Sequence, residues 1–216
     1  MSNSVPDANS DYYAATRAEL RGYLPEYYTR VLEVGCGRGG FRANLAATAE
    51  VWGVEPFADA AEIARGRMNR VLIGKYEDVQ SQLPDFAFDL IICNDVIEHM
   101  ADDVGFLNAI RRKMQPGGYL MGSVPNMRNL PILQALVFRK EWEYQDEGVL
   151  DRTHLRFYTN KSLGGLLARA GFDVTKFGGI NRHVGAANWI ARCLLKTPWL
   201  EDAQWVQFAF LAKLLD

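Results

Sequence analysis

Short apolar runs recur along the chain, at 31–34, 51–54, 71–74, 88–93 and 119–124. The run 88–93 is almost wholly apolar, as a strand buried on both faces is. Between the runs the apolar spacing turns helical. Phe41 and Leu45 mark a helix ending near Thr48, and residues 58–67, rich in Ala, Glu and Arg, favour another after Pro56 has broken the second strand. Leu107, Ile110 and Met114 share one helix face, and Pro116-Gly117-Gly118 stops that helix before the fifth strand. Further on, Thr159 or Asn160 caps a helix whose inward face is Leu163, Leu166 and Leu167, with Gly171 as its stop. A sixth strand at 172–177, a helix at 188–196 and a last strand at 205–211 complete the pattern. Strands alternating with helices predict an α/β fold with a parallel, doubly wound sheet and right-handed crossovers. Ligands in such sheets sit beyond the carboxyl ends of the strands.

Two stretches depart from the alternation. Residues 11–24 carry Tyr12, Tyr13, Ala15, Leu20 and Tyr23 at helical spacing, which predicts an amphipathic helix over one edge of the sheet, closed by Pro25. From 127 to 150 the pattern pauses: Leu130, Ile132, Leu133, Leu136 and Val137 suggest one short apolar helix, followed by Trp142, Tyr144 and several acids. An insertion of this length predicts a cap over the substrate or a homodimer contact.

Composition narrows the class. With 216 residues, 49% of them apolar, the chain fits one domain over 11–216, preceded by a polar, disordered stretch at 1–10 and interrupted by a substrate-side insertion at about 127–158. A net charge of −2 without long single-sign runs argues against nucleic acid as partner. Cys36, Cys93 and Cys193 are too few and scattered for a disulfide framework, and Cys36 and Cys93 read as small apolar fillers. No signal pattern opens the chain and no apolar run approaches a membrane span, so a reduced, cytoplasmic setting is expected.

The chemistry starts at Val31-Leu32-Glu33-Val34-Gly35-Cys36-Gly37-Arg38-Gly39-Gly40-Phe41, a strand running into a glycine turn and a helix. Gly35 and Gly37 permit positive φ and let a ligand lie against the backbone. Gly35, Gly37 and Gly40 also satisfy the dinucleotide fingerprint, so a nicotinamide oxidoreductase shares this turn. Two acids discriminate. Glu33 precedes the first glycine by two residues, where a carboxylate repels pyrophosphate and suits a cation; Glu55 ends the second strand, placed to accept both ribose hydroxyls. Ammonium, sulfonium and ribose together describe S-adenosylmethionine. At this point the chain resembles the class I S-adenosylmethionine-dependent methyltransferases, whose E-x-G-x-G-x-G strand-turn matches Glu33 to Gly39 at every fixed position.

That resemblance implies a Rossmann-like, seven-stranded, mostly parallel sheet whose last strand is antiparallel, inserted between the fifth and sixth. It also implies a lid role for the leading helix. It implies cofactor contacts from Glu33, Gly35, Cys36, Gly37, Glu55 and Pro56, and an adenine site at the end of strand three. There Glu77 accepts from the exocyclic amine and Tyr76 lines the ring, although Lys75 stands where the family often has an acid. Asn94 and Asp95, at the end of strand four, pass beside the methionine part of the cofactor by the same resemblance. Glu98 and His99 follow. Relatives acting on quinone precursors use an acid and a histidine at this place, yet two adjacent ligands without a defined third leave no metal assigned. On the bland reading, His99 simply holds the loop.

A second motif narrows the likeness. Ser123-Val124-Pro125-Asn126, Trp142 to Tyr144 and Asp151-Arg152-Thr153-His154-Leu155-Arg156-Phe157 resemble methyltransferases encoded among bacterial glycosyltransferase and surface-polysaccharide genes, where P-N and D-R-T-H-L-R-F recur. The expected activity is methyl transfer to an oxygen of a small molecule, first among them a saccharide or glycan precursor. An alcohol must lose its proton, which calls for a base: His154 first, His99 second, His183 third. The alternative for 151–154 is a structural latch, with Asp151 paired to Arg152 and His154 satisfied by backbone. Two other functions stay open here. A nicotinamide oxidoreductase leaves Glu33 unexplained, and a non-catalytic S-adenosylmethionine-binding module sits poorly with intact Glu33, glycines and Glu55.

Overall fold

The computed structural model describes residues 16–182 and 197–215. The seven strands among them are β1 (Arg30–Val34), β2 (Glu50–Glu55), β3 (Arg70–Ile73), β4 (Phe88–Asn94), β5 (Met114–Pro125), β6 (Phe172–Arg182) and β7 (Trp205–Leu214). They form one sheet in the order β3-β2-β1-β4-β5-β7-β6. β1 to β5 pair in parallel, and β7 lies antiparallel between β5 and β6. This is the Rossmann-like topology expected, including the inserted antiparallel strand.

Successive residues on a strand point to opposite faces, and here both faces are apolar. Leu32, Val34, Ile91, Cys93, Leu120 and Val124 pack into one core with Leu107, Ile110, Leu163 and Leu167. Val31, Val51, Leu90, Ile92 and Met121 pack into the other with Phe41, Leu45, Ala61 and Ala64. Phe41 and Leu45 come from the turn after β1, and the helices that supply the other partners are α1 (Ala58–Arg65), α3 (Asp103–Lys113) and α5 (Asn160–Arg169), with short turns α2 (Tyr76–Val79) and α4 (Leu130–Gln134) besides. Burying one such aliphatic side chain contributes about 1.5–3 kcal/mol, so the two cores fix the strand ends on which the candidate site is built. Thr159 caps α5, accepting from the Ser162 backbone N–H at 3.2 Å while Ser162 Oγ accepts from the Thr159 N–H at 2.9 Å.

Several elements differ from expectation. The segment after the glycine turn is a 3₁₀ turn, Gly40–Asn44, and does not reach Thr48. The Arg42 guanidinium donates to the carbonyls of Leu45 and Ala47, at 3.3 and 3.1 Å, so those carbonyls are satisfied without further helix. Of the leading helix, the described part is a 3₁₀ segment, Ala18–Tyr23. Tyr12, Tyr13, Ala15, the stretch 1–10, His183, Cys193 and the expected helix at 188–196 lie outside the described residues. In the insertion, α4 runs into a π-helical turn, Ala135–Arg139, and Val137 and Phe138 stand 63% and 80% exposed.

Candidate active site

The glycine turn has the geometry its residues require. Gly35, Gly37 and Gly39 have φ of 70°, 53° and 73°, and a Cβ on Gly35 would stand 2.7 Å from the Val96 side chain. The Gly35 and Cys36 N–H groups bond to the Val54 carbonyl at 2.8 and 3.2 Å, tying the turn to the end of β2. Glu55 secures it further: its two carboxylate oxygens accept from the N–H groups of Gly37 (2.8 Å) and Phe57 (3.1 Å). Burial raises the Glu55 pKa, and those two backbone donors oppose the shift. Glu33 is 4% exposed and its Oε2 has no partner among the described residues. Burial, with the Glu55 charge second, pushes its carboxyl up to about 8. Cys36 turns its side chain into the core beside Gly53, where a Cβ would lie 2.6 Å from its sulfur. Only its backbone belongs to the turn, and burial raises its thiol pKa. Pro56 is exposed next to Glu55.

Tyr76 departs from the expected role. Its ring is buried in the core, edge-on to Phe106 at 5.2 Å, rather than exposed as the face of a ring site, because α2 turns it inward. Glu77 is exposed on the same turn.

At the end of β4, both amide atoms of Asn94 are buried without partners among the described residues. Asp95 sits in the left-handed region at φ 53°. Its Oδ1 accepts from Ser123 Oγ and Gln207 Nε2, each at 2.8 Å, and its Oδ2 pairs with Arg17. This carboxylate therefore holds the N-terminal segment across the ends of β4, β5 and β7. Arg17, itself at φ 50°, also donates to Ser123 Oγ and Gln207 Oε1.

Beyond Asp95 a 3₁₀ turn, Ile97–His99, meets the 150s segment. The Glu98 carbonyl accepts from the N–H groups of Leu155 (2.8 Å) and Arg156 (2.9 Å), which docks that segment against the turn. Glu98 is wholly buried, and neither carboxylate oxygen has a partner among the described residues. Burial, then the charge of Asp95, raises its pKa well above the ordinary value. The His99 and His154 rings meet edge to face at 4.9 Å. One ligand atom from each of Glu98, His99 and His154 lies within 4.8 Å of the other two. Burial, then His154, lowers the His99 pKa. The latch expected at 151–154 is built differently. Arg152 pairs with Asp146 at 2.8 Å, and Asp151 accepts from the Thr153 N–H and hydroxyl at 2.7 and 2.6 Å. His154 Nδ1 stands 3.1 Å from the Val149 carbonyl, so that one of its ring nitrogens is satisfied by backbone. Trp142 and Phe157 stack edge-on beside it at 5.7 Å.

Next to this segment lies a cavity of about 270 Å³, walled by Pro131, Ile132, Ala135, Val149, Leu150 and Val206, with Asn129, Glu141 and Glu143 at its polar side.

A family model described as a methyltransferase domain matches residues 8–176. The chain belongs to that family. It is an S-adenosylmethionine-dependent methyltransferase, and its cofactor is S-adenosylmethionine. An uncharacterized methyltransferase of Schizosaccharomyces pombe is 26% identical over 201 residues, covering 86% of this chain and 68% of that protein. A ubiquinone biosynthesis O-methyltransferase of Neisseria meningitidis is 28% identical over 182 residues, covering 80% and 73%. A solved SAM-dependent methyltransferase from Archaeoglobus fulgidus superposes with a TM-score of 0.66 at 20% identity, over 94% of this chain and 96% of that one; it shares the fold. In this methyltransferase no helix of the described residues is long and apolar enough to cross a membrane.

The methyltransferase thus gathers Glu33, Gly35, Gly37, Glu55, Asn94 and Asp95 at the carboxyl ends of β1, β2 and β4, and His99 with His154 nearby on the insertion side. Sequence reasoning missed Arg17 and Gln207, and it quoted Ser123 only as part of a motif, without this contact. They meet only because β7 returns beside β5, and no spacing signals that.

Proposed function

We propose that this methyltransferase moves the methyl group of its cofactor to an oxygen of a small molecule, with a saccharide or glycan precursor the first choice of acceptor. One observation carries the reading: a buried carboxyl and two imidazoles converge where the β4 loop meets the insertion, a place suited to releasing a hydroxyl proton. The saccharide choice is supported by the P-N and D-R-T-H-L-R-F motifs. A phenolic acceptor is the second reading, favoured by the likeness to ubiquinone biosynthesis O-methyltransferases and the apolar wall of the cavity.

In this reading Glu33, with its Oε2 unpartnered among the described residues, faces the cofactor's ammonium, and Glu55, already aimed by Gly37 and Phe57, accepts from the ribose hydroxyls with its remaining lone pairs. Asn94 offers a donor and an acceptor to the methionine part, while the Gly35 and Gly37 backbone lies against the ligand. Asp95 acts indirectly, by fixing Arg17 and the β4 loop. The sulfonium has already activated the methyl group, so the protein's main work is alignment of acceptor oxygen, carbon and sulfur. Such positioning supplies roughly 7–11 kcal/mol. The acceptor's proton is released at the Glu98, His99 and His154 cluster, with His154 the first candidate to take it and His99 the second.

The test is incubation with methyl-labelled cofactor and fractionated cell extract. A labelled product heavier by one methylene, bearing a methyl ether on a sugar, is expected. A product methylated on nitrogen or carbon overturns the oxygen reading, and a phenolic ether replaces the saccharide choice.

A further inference from the structure

The segment that follows β5 carries its apolar residues outward. Leu130–Gln134 and Ala135–Arg139 make ten consecutive helical residues, seven of them Ala, Val, Leu, Ile or Phe, and none is buried. Leu136, Val137, Phe138, Trp142 and Tyr144 are all exposed. Other exposed large apolar residues, such as Ile63, Phe86 and Trp199, stand singly on separate elements and need no explanation. Five within nine consecutive residues do. The helix is held neither by its length nor by its inner side. Ten residues fall short of the roughly 12–15 at which a helix stands alone in water. Pro131, Ile132 and Ala135 face the cavity of about 270 Å³ instead of a packed core. An apolar strip of this kind marks an interaction site.

The flanking charges identify what covers it. Arg139 and Lys140 close the helix, and Glu141, Glu143, Asp146 and Glu147 follow, all of them exposed. Arg139 pairs with Glu141 and Asp146 with Arg152, whereas Lys140, Glu143 and Glu147 form no ion pair among the described residues. An anionic lipid surface attracts basic segments, and here it would meet two spare carboxylates for one spare ammonium. A patch holding both signs is instead complementary to itself. About a two-fold axis, residue i meets j while j meets i, so every contact of Lys140 with a facing carboxylate is made twice.

We infer that residues 130–147 form a two-fold contact with a second copy of this chain. The apolar strips pack on each other, and Lys140 of each copy stands against the partner's Glu143. Eighteen residues a side fall just under the roughly 20–30 of a standard interface, so the dimer is a weak, reversible one. The inference is independent of which acceptor is methylated and at which atom.

The test is sedimentation velocity of the full chain over roughly 1–100 μM, the range in which a weak interface dissociates. Wild type should pass from monomer to dimer with rising concentration. Val137→Asp and Lys140→Glu should each weaken association about tenfold or more, since like charges or a buried carboxylate now face each other across the axis. Both residues are exposed, so melting temperature and S-adenosylmethionine binding should match wild type. Adding Glu143→Lys to Lys140→Glu restores opposite signs and should return the dimer to within about threefold of wild type. A chain monomeric throughout that range overturns the proposal, as does a dimer that Val137→Asp or Lys140→Glu leaves intact, or a charge swap that restores nothing. Flotation of a monomeric wild type with vesicles of phosphatidylcholine and phosphatidylglycerol overturns it too, and gives the strip to a lipid surface.

Discussion

Glu33→Gln keeps the shape of a buried side chain and removes its charge, which separates what that carboxyl costs from what it does. In the folded protein its pKa rises from 4.5 to about 8, through burial first and the Glu55 charge second. The sign follows directly. The folded state keeps a proton that the unfolded state has already released, so stability falls as pH rises through the window from 4.5 to about 8 and is flat above it. The full shift corresponds to roughly 5 kcal/mol, and about half of it falls between pH 5.5 and 7.5. Urea unfolding of both proteins at a series of pH values reads this as a difference. Wild type should lose roughly half of that stability relative to Glu33→Gln across those two pH units. Cofactor reverses the balance, because its ammonium gives the ionised carboxylate a partner. At pH 7 binding should release most of a proton from Glu33, absent in the variant, and calorimetry in two buffers of different ionisation enthalpy measures it. The variant should bind about 1.5–3 kcal/mol more weakly. Parallel stability curves and equal proton release would refute the assignment of Glu33 to a cationic ligand.

Three other outcomes are expected. At about a hundredfold excess over its dissociation constant, S-adenosylmethionine should raise the melting temperature by roughly 5–10 °C, and NAD or NADP by nothing comparable; a larger rise with a dinucleotide contradicts the cofactor assignment. Glu55→Ala should cost about 1.5–3 kcal/mol of cofactor affinity by calorimetry and also lower the melting temperature, since the Gly37 and Phe57 N–H groups lose their acceptor. His154→Asn should reduce kcat roughly 10²–10⁴-fold with cofactor binding unaltered. An early-melting variant with most of its activity and an unchanged pH profile would make His154 a latch.

Local signals were legible wherever one element carried them. The alternating apolar runs predict the strands, Thr159 the helix cap, and Glu33 with Glu55 the two strand-end acids now found beside the glycine turn. Signals that need two distant segments were not. Tyr76 reads as a ligand-facing aromatic until α2 turns it onto Phe106. Arg152 sits beside Asp151 in sequence yet reaches Asp146. Glu98 and His99 lack a third donor until the 150s segment docks, and that docking is made by backbone N–H groups, which every residue but proline has. The short 3₁₀ turn after the glycines escaped for a similar reason: Arg42 caps carbonyls that the apolar pattern assigns to a helix.

The position of β7 has a consequence for how the chain is made. It is the last of the seven strands to leave the ribosome, yet it fills a gap between β5 and β6 and supplies Phe208 and Phe210 to the core. During synthesis β1 to β4, with the glycine turn and both strand-end acids, can assemble from segments close in sequence. The β5 edge, by contrast, stays unpaired until the final strand arrives, a closure over long sequence separation and therefore slow. An unpaired edge invites foreign strands in the interval. Chains cut short before Trp205 should thus be prone to aggregation even though every residue of the cofactor turn is present.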